Sequence, residues 1–119
     1  MSIKTDVASL EVLAKVYQSR NLKQTFSELV KTLHTQVSYF DWVGVYLNEG
    51  NHTVLQAATD MENNLNWEAN SELKIPIQHT NRELGKIVVK SKQPVCFDLT
   101  DVSTLQTLAA EISERMSVN

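Results

Sequence analysis

The chain has 119 residues, with 14 acidic against 11 basic side chains, a formal net charge of −3 and a hydrophobic content of 42%. That length suits one domain able to bury about two-thirds of its unfolded surface, and a second core is not expected. The mildly acidic balance, with its lysines spread along the chain, offers no electrostatic footprint for nucleic acid, and no apolar run is long enough to cross a bilayer. Met1-Ser2-Ile3-Lys4-Thr5-Asp6 lacks the basic and then apolar start of a secretory signal, so a cytoplasmic protein is expected. The single cysteine, Cys96, cannot form an internal disulfide, which fits a reducing compartment.

Taken in chain order, Val7, Leu10, Leu13 or Ala14, and Tyr17 recur at helical spacing over residues 7–18, with Thr5 or Asp6 as a cap. Asn21 then caps a second helix, with Gln24 three residues on. Leu22, Phe26, Leu29, Val30, Leu33 and Val37 draw its apolar stripe as far as Gln36 or Val37. Lys23, Gln24, Ser27, Glu28 and Lys31 form the solvated face opposite, and neither they nor His34 call for a functional role.

Residues 40–47, Phe-Asp-Trp-Val-Gly-Val-Tyr-Leu, read as a strand with two unlike faces. Side chains alternate across a strand, so Val43, Val45 and Leu47 form an aliphatic face while Trp42, Gly44 and Tyr46 share the other. That second face carries two amphipathic rings around a glycine, where backbone can be approached closely, and it is the face on which to seek function. Glu49-Gly50-Asn51 turns the chain into a partner strand over 53–59. Leu73, Ile75 and Ile77 alternate over 72–78, and Pro76, which lacks a donor, places that strand at an edge. A loop at 79–82 leads to a strand from Leu84 or Gly85 to Lys90, and residues 91–94 end the pairing. Val102, Leu105, Leu108, Ala109, Ile112 and Met116 predict a closing helix over 99–116 behind Thr100 or Asp101.

Between Asp60 and Asn70 the asparagines at 63, 64, 66 and 70 disfavour both helix and strand. Leu65 and Trp67 therefore ride on a loop, either as a lid that closes a pocket over the Trp42/Tyr46 face or, for Trp67, as a cap on an edge of the core. His34, His52 and His79 are scattered, with no spacing of a metal site, and no phosphate loop or nucleophile elbow is present.

The run at 40–47, following an N-terminal helix pair and leading into a hairpin, resembles the opening of a GAF domain. It is most similar to the free methionine-(R)-sulfoxide reductase branch. Residues 71–77, Ser-Glu-Leu-Lys-Ile-Pro-Ile, resemble that branch's Ser-Glu-hydrophobic-x-hydrophobic-Pro strand. Leu84-Gly85-Lys86-Ile87-Val88-Val89-Lys90-Ser91 resembles its Gly-hydrophobic strand, and Phe97-Asp98 to Ile112 its closing helix. The resemblance runs nearly unbroken from Leu22 onward and implies an α+β fold: a central antiparallel sheet of about four to five strands with N- and C-terminal helices packed on one face.

Two departures bear on function. The family's longer excursion with its catalytic cysteines is absent between Asp60 and Ser71, and the reduction it performs needs a nucleophilic thiolate and a resolving thiol. Cys96 alone is a weak catalytic candidate whose ordinary reading is a small buried hydrophobe. The two aspartates with which the reductases grip an ammonium group are replaced by Val88 and Lys90, while Trp42, Tyr46 and Glu72 are retained. This disfavours free methionine sulfoxide and leaves room for a different ligand, anionic or neutral aromatic.

The reading at this level is one GAF-like domain over 1–119, with residues 1–20 as an N-terminal helix and 21–116 as the core. It is expected to be a non-catalytic small-molecule sensing or dimerisation module in intracellular signalling, without cofactor or metal, its ligand held by Trp42, Tyr46, Trp67 and Glu72. Val7, Leu10 and Tyr17 with Ile112 and Met116 offer the terminal helices an apolar surface for a homodimer. Neither nucleic acid nor membrane is an expected partner. The alternative is a divergent thiol-dependent redox enzyme working through Cys96.

Overall fold

Asn21 starts the first described helix as its side chain dictates: its Oδ1 accepts the backbone N–H of Gln24 at 2.8 Å, satisfying one of the amides that a helix start leaves open. The structure, a computed structural model, describes residues 21–60, 69–94 and 97–118. The expected helix over 7–18, most of the asparagine-rich loop with Leu65 and Trp67, and Cys96 lie outside the described residues.

Helix α1 (Leu22–Gln36) is followed by strands β1 (Trp42–Glu49), β2 (His52–Ala58), β3 (Ser71–His79) and β4 (Arg82–Ser91), and by helix α2 (Leu99–Val118). The strands form an antiparallel sheet in the order β2-β1-β4-β3. Pro76 accordingly sits on an edge strand, where its missing N–H costs the ladder nothing. The two most apolar strands, β1 and β4, pair at the centre although β2 and β3 separate them in sequence.

Both hairpins are tighter than the sequence suggests. Gly50 takes φ +63° in the β1–β2 turn, the conformation for which glycine has no steric cost. In the β3–β4 turn Thr80 and Asn81 both have positive φ, 53° and 64°, the signature of a two-residue turn whose twist matches the strands. The loop expected over 79–82 thus shrinks to two residues, and β4 begins at Arg82 rather than at Leu84. β4 also runs on to Ser91, which pairs with Ser71, because that hydroxyl is buried and has its own partner in Asp41.

The inner face of the sheet is aliphatic on every rung. Val43 pairs with Val89 and that with Leu73; Val45 with Ile87 and that with Ile75; Leu47 with Gly85 and that with Ile77. Phe26, Leu29, Val30 and Leu33 of α1 and Leu105, Leu108, Ala109 and Ile112 of α2 close over it as one core. α1 lies against β1 and β2, and α2 mainly against β3, so both helices share the face assigned to them. The fold is α+β, as expected, with four described strands. Ile112, expected to supply surface for a dimer, is instead wholly buried in this core, and Met116 packs partly buried against it. The helical period gives that stripe an apolar character but does not say which partner covers it.

The cap of α2 differs from the expectation of Thr100 or Asp101. Asp98 holds the cap position: its Oδ1 accepts the Asp101 N–H at 2.9 Å, and Asp101 Oδ2 accepts the Asp98 N–H at 3.1 Å. This reciprocal pair is a capping box with aspartate at both ends. The other oxygen of the buried Asp101 accepts the Tyr39 hydroxyl at 2.7 Å, joining the approach to β1 with the start of α2. Phe40 and Phe97 pack against Tyr39, with ring centroids 5.3 and 6.4 Å away. Among the described residues no helix is long and apolar enough to cross a membrane.

Candidate functional site

The outer face of the same sheet has a different chemistry. Cross-strand pairing builds three rungs there: Trp42–Lys90–Glu72, Gly44–Val88–Lys74 and Tyr46–Lys86–Pro76. The alternation that sends Val43 and Val45 inward fixes this set: Trp42, Tyr46 and Glu72 share the outer face, Trp42 and Glu72 on the Lys90 rung and Tyr46 two rungs away. Val88 and Lys90 join them from β4. Trp67 and Cys96, the remaining sequence candidates, fall outside the described residues.

The Trp42 indole lies over its own strand. A Cβ placed on Gly44 would stand 2.3 Å from Cη2 of that ring, so the glycine is the hollow into which the indole folds. Trp42 Nε1 donates to the Asp60 carbonyl at 3.2 Å, which ties the chain leaving β2 to the sheet. Trp42 is 1% exposed and Val88 3%, although neither faces the helix-covered core.

Lysines surround this apolar floor. The Lys90 ammonium stands 5.0 Å from the Trp42 ring centroid and 3.9 Å from Glu72 Oε2, with its side chain 17% exposed. Lys74 reaches Glu72 Oε1 at 3.5 Å. The Lys86 ammonium lies 5.4 Å from the Tyr46 ring centroid, within cation–π range. Both oxygens of Glu72 therefore face ammonium groups, and the carboxylate sits as a counter-charge rather than as a base aimed at a hydroxyl or thiol. Lys74 and Lys86 were legible from strand alternation, which puts them on the same face as Glu72 and Lys90. Reading the rungs across strands, rather than along them, is what brings them out.

A polar clamp steadies the end of the sheet where Glu72 and Lys90 meet. Asp41 Oδ2 accepts the Lys92 N–H at 2.8 Å and the Ser91 hydroxyl at 3.3 Å. Ser71 Oγ donates to the Gln93 carbonyl at 2.6 Å, and the Asn70 side chain donates to the Lys92 carbonyl at 2.7 Å. The start of β3 and the end of β4 are thereby fixed together, which holds the first rung in register.

Elsewhere, a half-open groove of about 210 Å³ runs between α1 and β2, lined by Val30, Lys31, His34, Ala57 and Thr59 among others. His34 Nδ1–H donates to the Phe40 carbonyl at 2.9 Å, giving that histidine a structural part at the end of α1. Among the described residues no cluster of histidine, cysteine, aspartate and glutamate could hold a metal ion.

Solved structures with this arrangement of helices and strands are known. The GAF domain of a phosphoenolpyruvate-protein phosphotransferase from Acinetobacter superposes with a TM-score of 0.82 at 17% identity, over 93% of this chain and 91% of that one. The chain has the GAF fold. The free methionine-R-sulfoxide reductase of Neisseria meningitidis, solved with its substrate, matches this GAF-like domain with a TM-score of 0.80 at 17% identity, over 95% of this chain and 88% of the other. Its counterpart from Staphylococcus aureus, also in complex with substrate, gives 0.82 at 14% identity over 94% and 95% of the two chains. No protein-family model and no curated protein sequence matches the chain. At these identities the GAF-like domain shares an architecture with both the GAF domain of a phosphotransferase and a reductase, and function has to be argued from its own residues.

Proposed function

We propose that this GAF-like domain is a non-catalytic sensing module that binds a small molecule on the outer face of its sheet. The observation that carries the reading is the arrangement of Trp42, Tyr46, Val88 and Lys90 with Glu72: two ring systems and an apolar floor held rigidly in the sheet, bordered by charges. With Trp42 and Val88 buried as its support, this arrangement presents the Tyr46 ring and a few oriented charges, ingredients of small-molecule recognition. The cysteine content supports it as well. With one thiol in the whole chain, a two-thiol reduction cycle has no internal resolving partner. Trp67, which follows β2 in the sequence, is expected to complete the site.

The test is a thermal-shift screen of the full chain against nucleotides, cyclic nucleotides, amino acids including methionine sulfoxide, and small aromatic acids, repeated with Tyr46→Ala. Saturable stabilisation that the variant loses, with no turnover in the presence of a dithiol, is the expected result. Reduction of methionine sulfoxide that Cys96→Ser abolishes would instead make the protein a redox enzyme. Homodimerisation through the terminal helices belongs to the same proposal. With Ile112 committed to the core, Leu99, 87% exposed, is an apolar residue that α2 presents to solvent, and sedimentation of the chain decides its oligomeric state.

A further inference from the structure

We infer that the open edge of β2 is a self-association surface, on which a second copy of the chain pairs its own β2 antiparallel about a two-fold axis at Val54. The contact is separate from the ligand face and from the terminal helices, so it stands or falls independently of both. The two edges of the sheet are its first support. β3, at one edge, carries Glu72, Lys74 and Pro76, and charge and a missing donor are what keep an edge from pairing with another strand. β2, at the other, reads His-Thr-Val-Leu-Gln-Ala-Ala and contains neither proline nor any lysine, arginine or acidic side chain. His52, Thr53 and Val54 are exposed, so this length of the edge is open to a partner. A bulge at Gln56 blunts the far half of the strand, whereas the ladder with β1 is regular from His52 to Leu55.

Val54 is the second support. It pairs with Leu47, which places it on the helix-covered face of the sheet, yet it is 37% exposed. Directly opposed residues of antiparallel strands share a face, so a two-fold at Val54 sets it against its own copy there and sets Thr53 against Leu55 of the second copy on the other face. A charged strand paired in this way would oppose like charges. Here each opposed pair is neutral.

The helices give the third support and favour a second copy over a foreign strand. α1 lies over β1 and β2, and the groove of about 210 Å³ on its β2 side is lined by Ser27, Val30, Lys31 and His34 with Ala57 and Thr59. Paired strands lie about 4.8 Å apart, so the axis falls about 2.4 Å beyond β2, and a helix centred over the β1–β2 gap stands about 5 Å from it. The α1 helices of the two copies are then about 10 Å apart, at the upper end of the range of about 8–10 Å for packed helices. They would cover both Val54 side chains and close both grooves, a second layer of burial that an isolated strand laid on β2 does not bring. Lys31, on that flank, has a stem long enough to carry its ammonium out to water.

The experiment is sedimentation velocity of the full chain across a wide range of concentration. Reversible association is expected, and Val54→Lys should raise the dissociation constant by at least about tenfold, because two like charges then meet at the axis. An unchanged urea midpoint shows that the variant folds, as an exposed position allows. Thr53→Lys is a second variant on the same edge and should also weaken association, whereas Leu99→Lys, at the exposed start of α2, should not. In a Cys96→Ser background, Val54→Cys should form an interchain disulfide with oxidised glutathione, and Gln78→Cys on the β3 edge should not. A chain that stays monomeric throughout overturns the proposal, and so does association that Val54→Lys leaves unchanged or that Leu99→Lys alone abolishes. If the chain is monomeric yet binds a synthetic peptide of residues 51–59, the edge takes a foreign strand and the two-fold is overturned. Ligand binding on the outer face is read separately by thermal shift, so neither failure is mistaken for the other.

Discussion

The inner and outer faces of the β1–β4 pair are made from alternate residues of the same two strands, yet they are stabilised in different ways. Inward, Val43, Val45, Ile87 and Val89 are all fully buried and meet other aliphatic groups from both helices. Outward, burial is achieved by one large ring folded over a glycine, and lysine ammoniums rest on aromatic faces instead of reaching into solvent. The first arrangement spends its contacts on stability. The second keeps lysine charges beside the buried Trp42 and Val88.

Substitutions on neighbouring residues of one strand sharpen this contrast. Ile87→Ala removes a fully buried side chain from the inner face and should destabilise by about 2–5 kcal/mol in urea unfolding, whereas Lys86→Ala, one residue away on the outer face, should change stability by less than about 0.5 kcal/mol. Equal losses from both would mean that the outer face is as much a core as the inner one. Next in size is Gly44→Ala, which tests whether the Trp42 ring is as fixed as its position over the glycine implies. The added methyl would displace a rigid ring and should cost about 1–3 kcal/mol, with a red shift in tryptophan emission. An unchanged spectrum and stability would show an indole free to move aside.

The smallest effect concerns the hairpin that delivers β3 and β4 to both faces. Thr80 is β-branched and holds φ 53°, a conformation that asparagine tolerates better. Thr80→Asn should therefore stabilise the chain by roughly 0.5 kcal/mol, raising the midpoint of denaturation without altering either face. Destabilisation would argue against a two-residue turn at this position.

Much of this architecture was readable from residue order. The stripe of α1 and the Asn21 cap followed from helical spacing, and the two faces of β1 from simple alternation. Trp42 and Tyr46 were selected before any coordinates, because amphipathic rings opposite an aliphatic face stand out locally, and Glu72 through the resemblance of residues 71–77 to the reductase strand. Tyr39 and Asp101 were not paired by the sequence reading. Sixty-two positions separate them, and nothing in the local pattern around either announces a buried hydrogen bond. The cap of α2, expected at Thr100 or Asp101, was misplaced for a related reason: Asp98 takes the cap position, with Asp101 as its reciprocal partner and acceptor of the Tyr39 hydroxyl.

Periodicity, turn chemistry and capping act over a few residues, so they specify helices, strands and the in-or-out sense of each side chain without reference to the rest of the molecule. They determined here that helices would flank a run of strands, that one face of β1 would be aliphatic, and that the other would carry rings. The strand order β2-β1-β4-β3 lies beyond that range, and with it the meeting of Lys90 with Trp42 and Lys86 with Tyr46. So does the burial of Ile112 in the chain's own core. Those outcomes depend on which distant strands pair and which faces cover one another, a choice made by the combined burial of the whole core rather than by any segment of it.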